Sequence, residues 1–174
     1  MKRLTTANIN TPNYWDEHQT AMDFGLRQRE YAKRVIGTVL DLGCGLSPFA
    51  DVIGGVGVDY SPRTISKCEQ LYPETKFVCA DILRTPFKDK SFDTVVAGEV
   101  IEHLEKPELL IKEMVRLARK RIILSTPHLE FDDPEHLWEF SEQDLLDLLP
   151  NGTVKTIHSK RFIGRSYLIA HYDL

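Results

Sequence analysis

Val39-Leu-Asp-Leu-Gly-Cys-Gly45 decides the reading of this chain, because an apolar, strand-forming run passes directly into two glycines one residue apart. Glycine there lets the backbone turn tightly and approach a ligand where a side chain would block it. An ordinary strand-to-helix turn accepts the same residues, so the loop gains its meaning from the carboxylates that stand downstream of it at the right distances. Asp59 closes a second apolar run in Gly57-Val-Asp-Tyr-Ser-Pro62, where a carboxylate can accept hydrogen bonds from both hydroxyls of a nucleoside ribose. Asp81 closes a third in Phe77-Val-Cys-Ala-Asp-Ile82, and Phe92-Asp-Thr-Val-Val-Ala-Gly98 supplies a fourth.

Outward from this stretch, short β-branched runs alternate with helical patterns, the order of a mostly parallel sheet covered on both faces. Strands are predicted at Thr38–Leu42, Gly55–Asp59, Lys76–Ala80, Phe92–Ala97, Arg121–Ser125, Thr153–Lys160 and Ser166–Tyr172. Helices are predicted at Trp15–Ile36, Pro48–Ile53, Pro62–Leu71, Glu102–Ala118 and Glu142–Leu149. In the fourth helix Leu110, Met114 and Leu117 recur at helical spacing, with Pro107 as an alternative restart; in the fifth, Ser141 and Asp144 make a capping-box start. Only Phe162–Arg165 separates the last two strands, too little chain for a parallel crossover, so they form an antiparallel hairpin. The expected fold is α/β: a doubly wound, seven-stranded, mostly parallel sheet ending in a C-terminal antiparallel hairpin.

The whole chain sets further bounds. Its 174 residues, 42% hydrophobic, suit one domain spanning 1–174, with residues 1–36 as a helical segment over the active site. With 22 Lys+Arg against 26 Asp+Glu, the net charge of -4 gives no general attraction to nucleic acid or to an anionic membrane. Cys44, Cys68 and Cys79 form no C-x-x-C pair, which points to neither a disulfide framework nor a zinc knuckle. No uncharged apolar run approaches the ~20 residues of a membrane span. A soluble, unprocessed, cytoplasmic protein is expected.

The ordered set of loop, Asp59 and Asp81 resembles the type-11 family of class I S-adenosylmethionine-dependent methyltransferases, whose Rossmann-like sheet ends in the same antiparallel pair; the likeness covers about residues 14–149. The resemblance implies S-adenosylmethionine as cofactor. By that likeness Asp41, Gly43 and Gly45 line its methionine end, Asp59 holds the ribose, Asp81 with the Ile82 backbone reads the adenine, and Tyr60 lies against the adenine face. Two features depart from the family. Ser47 stands where a third glycine is usual, before a short helix; Ser47-Pro48 reads as an N-cap followed by a first-turn proline that aims N–H groups at the cofactor carboxylate. Arg119-Lys-Arg121 replaces the usual Lys-Pro-Gly-Gly and implies a tighter, more basic turn. A nicotinamide dinucleotide fits less well, since Gly43-Cys-Gly45-Leu-Ser-Pro48 lacks the last glycine of G-x-G-x-x-G.

The acceptor side rests on Gly98-Glu-Val-Ile-Glu-His-Leu104. If a helix begins near Glu99, then Glu99, Glu102 and His103 share one face at the carboxyl end of the fourth strand. Two carboxylates and an imidazole suit magnesium, manganese or zinc, which would bind an acceptor oxygen and lower its pKa. The segment is similar to those of the ubiquinone-pathway O-methyltransferases and of the RNA 3′-terminal ribose 2′-O-methyltransferases. The latter resemblance implies a further histidine after the fifth strand, supplied here by His136, with His128 as substitute. The competing reading makes His103 a general base or a hydrogen-bond partner without metal. Eight acidic residues and no Lys or Arg in Pro127–Asp147 disfavour a phosphate-rich acceptor such as RNA, despite Lys155, Lys160, Arg161 and Arg165 on the last hairpin. A small hydroxylated molecule is the expected acceptor, selected by the N-terminal segment, Pro127–Phe140 and the hairpin. Tyr14-Trp15 reads either as a cap over the cofactor or as an aromatic staple. A methyltransferase-like protein that binds the cofactor without turnover is the alternative from another functional class.

Overall fold

Burying one side of every strand against helices requires apolar residues on alternate positions, and here both sets of positions are apolar. The computed structural model describes residues 1–3, 24–46, 49–128, 135–159 and 164–174. In chain order these form β1 (Lys2–Arg3), α1 (Phe24–Ala32), β2 (Val39–Leu42), α2 (Phe49–Val52), β3 (Val56–Asp59), α3 (Pro62–Leu71) and β4 (Lys76–Cys79). There follow β5 (Phe92–Gly98), a single 3₁₀ turn (Ile101–His103), α4 (Pro107–Leu117), β6 (Ala118–Pro127), β7 (Trp138–Glu139), α5 (Glu142–Leu148), β8 (Thr153–His158) and β9 (Ser166–Asp173).

Seven of the strands make one sheet in the order β4-β3-β2-β5-β6-β9-β8. The first five run parallel; β9 lies antiparallel to both β6 and β8. The expected sheet and its terminal hairpin are therefore present. From β2 the chain steps outward through β3 to β4, then returns to β5 on the other side of β2. Connections from β2 and β5 diverge at that point, leaving a crevice beyond their carboxyl ends, where open α/β sheets bind ligands.

Leu40, Leu42, Val95, Ala97, Ile122 and Leu124 face Leu110, Met114 and Leu117 of α4 and Leu145 of α5. The intervening positions Val39, Val96, Ile123 and Ile169 pack with Tyr31 of α1 and Phe49 of α2. Beside them Ala50, Ile65, Cys68 and Phe77 seat α3. This double burial explains why the strands read as nearly continuous apolar runs. The Ser141–Asp144 capping box forms as expected, and Ser61 caps α3, its hydroxyl accepting from Thr64 N–H at 3.2 Å.

Several boundaries differ from expectation. The helix predicted over Glu102–Ala118 begins at Pro107, preceded by the 3₁₀ turn, because Pro107 occupies a first-turn position and Lys106 is extended. Proline is preorganised for a helix start and disfavours helix in the residue before it. Arg119-Lys-Arg121 is no turn: β6 starts at Ala118 directly after α4, with Arg121 paired to Asp173 of β9. Of the helix predicted at Trp15–Ile36 residues 24–36 are described, and the helix they form, Phe24–Ala32, ends four residues early; Tyr14-Trp15 and the Ser47-Pro48 cap lie outside the described residues. The pairing of β1 with β7 was not foreseen; two-residue strands carry no periodicity to detect. Among the described residues, no helix is long and apolar enough to cross a membrane.

Candidate functional site

At the end of β2 the backbone turns through Gly43 (φ 71°) and Gly45 (φ 53°), both left-handed. A side chain at Gly43 would be strained and would also meet Val100 Cγ2 at 2.6 Å. Val58 O accepts from the N–H groups of Gly43 and Cys44, at 2.8 and 2.9 Å, which ties the loop to β3. Asp59 ends β3, and its two oxygens accept from Gly45 N–H (3.1 Å) and Ser61 N–H (2.9 Å). Each carboxylate oxygen can accept a second bond, so capacity for two ribose hydroxyls remains. Burial raises the Asp59 pKa, opposed by those N–H groups. Tyr60 presents its ring to solvent beside Asp59, 63% exposed.

Asp41 alternates with Leu40 and Leu42 and is buried at the same crevice. Among the described residues no hydrogen bond offsets its burial, which together with the nearby Asp59 pushes its pKa up to about 7. A buried carboxyl in that state awaits a positively charged or donor group. Asp81 lies two residues beyond β4 and is exposed, one oxygen accepting from Leu83 N–H at 2.9 Å, with Ile82 half-buried behind it. It is thus a turn carboxylate at the rim rather than a strand-end residue.

The acceptor side departs further from the expected helical face. Glu99 has a left-handed φ of 57°, and its carboxylate is engaged by Ser125 and Arg27. Its N–H donates to Ser125 O at 3.0 Å, its Oε1 accepts from the Ser125 hydroxyl at 2.7 Å, and its Oε2 faces Arg27 Nη1 at 3.4 Å. Burial raises the Glu99 pKa against the pull of Arg27 and Ser125. Glu102 instead joins His103 and His136, with one ligand atom from each lying within 4.8 Å of the others. His128 stands apart from this cluster, its Nδ1 3.3 Å from the Ser166 hydroxyl.

Within the cluster, Glu102 Oε2 accepts from the Thr126 hydroxyl at 3.1 Å, while Oε1 is buried with no hydrogen-bond partner among the described residues. His103 Nε2 is 3.9 Å from that oxygen. His103 Nδ1 is 3.1 Å from Glu135 O; a carbonyl only accepts, so Nδ1 donates and Nε2 is the ring nitrogen on the Glu102 side. The His136 ring lies edge-on to His103, centroids 4.9 Å apart. Burial, with Glu99 nearby, raises the Glu102 pKa well above the carboxylate range. The donor set fits a divalent cation: a carboxylate and two imidazoles converge, one imidazole is fixed by a backbone carbonyl as metal-bound histidines are, and a buried oxygen lacks a donor among the described residues. Ligand atoms around such an ion stand about 3.0–3.5 Å apart, so small rotamer changes would close the set.

Sequence reasoning missed Arg27, Tyr31, Ser125, Thr126 and Glu135. Tyr31 hydrogen-bonds the Ser125 hydroxyl, and Arg27 lies 4.8 Å over the Tyr167 ring. The i, i+4 spacing of Arg27 and Tyr31 placed both on one helical face, and the adjacent hydroxyls Ser125-Thr126 ended an apolar strand; these signals were present but not specific. No local pattern marks Glu135, which acts through its backbone carbonyl.

A Methyltransferase domain family matches residues 40–124. Among curated relatives, a "Probable S-adenosylmethionine-dependent methyltransferase" of Mycobacterium tuberculosis is 29% identical over 161 residues, 83% of this chain and 57% of the relative. Norajmaline N-methyltransferase of Rauvolfia serpentina is 33% identical over 105 residues (52% of this chain, 36% of the relative). Tocopherol O-methyltransferase of Arabidopsis thaliana is 28% identical over 138 residues (71% and 39%). The chain thus spans about half the length of the curated relatives it matches, or less. A solved structure, an S-adenosylmethionine-dependent methyltransferase from Archaeoglobus fulgidus, shares the fold with a TM-score of 0.73 at 16% identity, covering 94% of this chain and 100% of that one. In the order of its sheet and in the two-glycine loop inside residues 40–124, the chain is thus similar to S-adenosylmethionine-dependent methyltransferases.

Proposed function

We propose that the 174 residues act as a single methyltransferase domain that moves a methyl group from S-adenosylmethionine to a hydroxyl of a small molecule, assisted by a divalent cation on Glu102, His103 and His136. Asp41, Gly43 and Gly45 take the methionine end of the donor, Asp59 the ribose, and Asp81 with Ile82 and Tyr60 the adenine. The observation that carries the cation is the buried Glu102 Oε1, which has no hydrogen-bond donor among the described residues and lies 3.9 Å from His103 Nε2, with His136 completing the group. A bound divalent ion would lower the pKa of an acceptor hydroxyl. In the transfer, the acceptor oxygen forms a bond to the methyl carbon as the carbon–sulfur bond breaks, and the acceptor proton leaves to solvent or to a base. Glu99, at the same end of the sheet, is held outside the cluster by Ser125 and Arg27.

The acidic run between Pro127 and Asp147 supports a small acceptor over RNA, and relatives named for O- and for N-methylation make amines the second class to test. The experiment is labelled methyl transfer to catechols, other hydroxy compounds, small amines and 3′-terminal RNA, each with and without divalent metal. Chelation abolishes turnover and leaves cofactor affinity intact if the cation is catalytic, and His103→Ala lowers both metal occupancy and rate. Full activity in a metal-free preparation, with His103→Ala costing roughly 10²–10⁴ in rate, overturns the cation and makes His103 the general base. No transfer to any acceptor, with cofactor bound, favours the non-catalytic alternative.

A further inference from the structure

Glu99 and Glu102 stand three residues apart at one rim of the sheet, yet only Glu102 joins the His103–His136 cluster. The separation has a backbone part and a side-chain part. The left-handed φ of 57° at Glu99 is uncommon for a residue with a side chain, and the Glu99 N–H bond to Ser125 O holds it there. The carboxylate is then tethered on Oε1 by the Ser125 hydroxyl at 2.7 Å and faced on Oε2 by Arg27 at 3.4 Å. That second oxygen makes no hydrogen bond among the described residues, so charge alone keeps it in place. Arg27 is itself buried and packed over the Tyr167 ring, and Tyr31, one turn along α1, bonds the same Ser125 hydroxyl. Helix α1 therefore brings a cation to Glu99 and a hydroxyl to the serine that holds it.

We infer that Arg27, together with Ser125, withholds Glu99 from the cation cluster, so that the site keeps three protein ligands and leaves its remaining coordination positions to the methyl acceptor. This rests on the reading of Glu102, His103 and His136 as a cation site. Two histidines and one glutamate are the donor set of catalytic rather than structural zinc, where an open position takes water or substrate. A second protein carboxylate, as a fourth ligand, would occupy the place an acceptor oxygen needs and would dilute the charge that acidifies it. Arg27 touches neither ion nor acceptor; it is a positioning residue.

The test is Mn²⁺ binding to the full chain, read as affinity and as water-proton relaxation per bound ion, which falls when a protein ligand replaces a coordinated water. Glu99→Gln is expected to bind Mn²⁺ within about twofold of wild type, whereas Glu102→Gln weakens binding by about tenfold or more. Arg27→Met is expected to bind about tenfold tighter with lower relaxation, because Glu99 becomes a fourth ligand. Arg27→Met/Glu99→Gln restores the wild-type relaxation. Removing Arg27 leaves a buried carboxylate uncompensated, so circular dichroism checks folding. If Arg27→Met does not fold, Ser125→Ala against Ser125→Ala/Glu99→Gln decides by the same relaxation criterion. Loss of affinity in Glu99→Gln equal to that in Glu102→Gln overturns the inference alone, since Glu99 is then already a ligand. Identical relaxation in the single and double variants overturns it as well. A wild type that binds no Mn²⁺ overturns both the inference and the cation site beneath it.

Discussion

If Asp41 lies against the methionine end of the cofactor, as proposed, cofactor binding is coupled to the ionisation of its carboxyl. Its carboxyl is buried without a hydrogen bond from the described residues and its pKa is pushed up to about 7, against an ordinary value of about 3.9. The methionine end of S-adenosylmethionine carries an ammonium and a sulfonium, and both favour the ionised carboxylate. If only the ionised form binds, the competent fraction rises from about one-eleventh at about pH 6 to about three-quarters at about pH 7.5, so affinity rises about eightfold. S-adenosylhomocysteine, which cannot react, is the ligand to titrate. Calorimetry in two buffers of different protonation enthalpy counts the proton: about half a proton should leave on binding near pH 7. Asp41→Asn should bind more weakly at the upper pH and lose the slope. The sign for stability is opposite: a carboxyl whose folded pKa lies above its unfolded value contributes stability below about pH 3.9 that is lost as pH rises toward about 7. The ligand-free protein should thus lose stability over that window and Asp41→Asn should lose less. An equal slope in Asp41→Asn, or a flat wild type, refutes the reasoning.

Two further outcomes are expected. Asp59→Ala should weaken cofactor binding by at least roughly tenfold, because hydrogen bonds to a charged group are worth ~1.5–3 kcal/mol each; unchanged affinity by calorimetry would remove the ribose assignment. Gly43→Ala should destabilise the fold by about 1–3 kcal/mol in thermal or urea melts through its positive φ, with an added clash against Val100. Pairing it with Val100→Ala should recover only the clash, and full recovery would show that the backbone conformation costs nothing.

The fold was legible because strand and helix periods survive local editing. Apolar runs such as Val39–Leu42 and Ile122–Leu124 are buried on both sides and announce themselves. The grouping of Gly43, Gly45 and Asp59 was legible for a related reason: a parallel sheet sets them at neighbouring strand ends, so their order in sequence maps onto their order in space. The acceptor side was legible by residue type and not by geometry. Glu102, His103 and His136 come together, but through a 3₁₀ turn and the extended approach to Pro107 rather than on a helix. No propensity predicts a left-handed glutamate; Glu99 takes that conformation because contacts from Ser125, 26 residues away, and from α1 hold it there. Arg27 was invisible for the same reason, since its partner is tertiary.

The position of β9 has a consequence for synthesis on the ribosome. Tyr167, Leu168, Ile169 and Ala170 are buried between β6 and β8, so the flank of β6 from Ile122 to Thr126 has no neighbour until residues 166–173 have been made. At about 5–20 residues per second that interval lasts roughly 2–9 seconds. Throughout it the nascent chain carries an unpaired, apolar strand edge, the kind of surface that recruits chaperones or pairs with other chains. Yield in the cell should accordingly respond to translation rate and to chaperone supply while residues 127–173 are made more than to the stability of the finished protein.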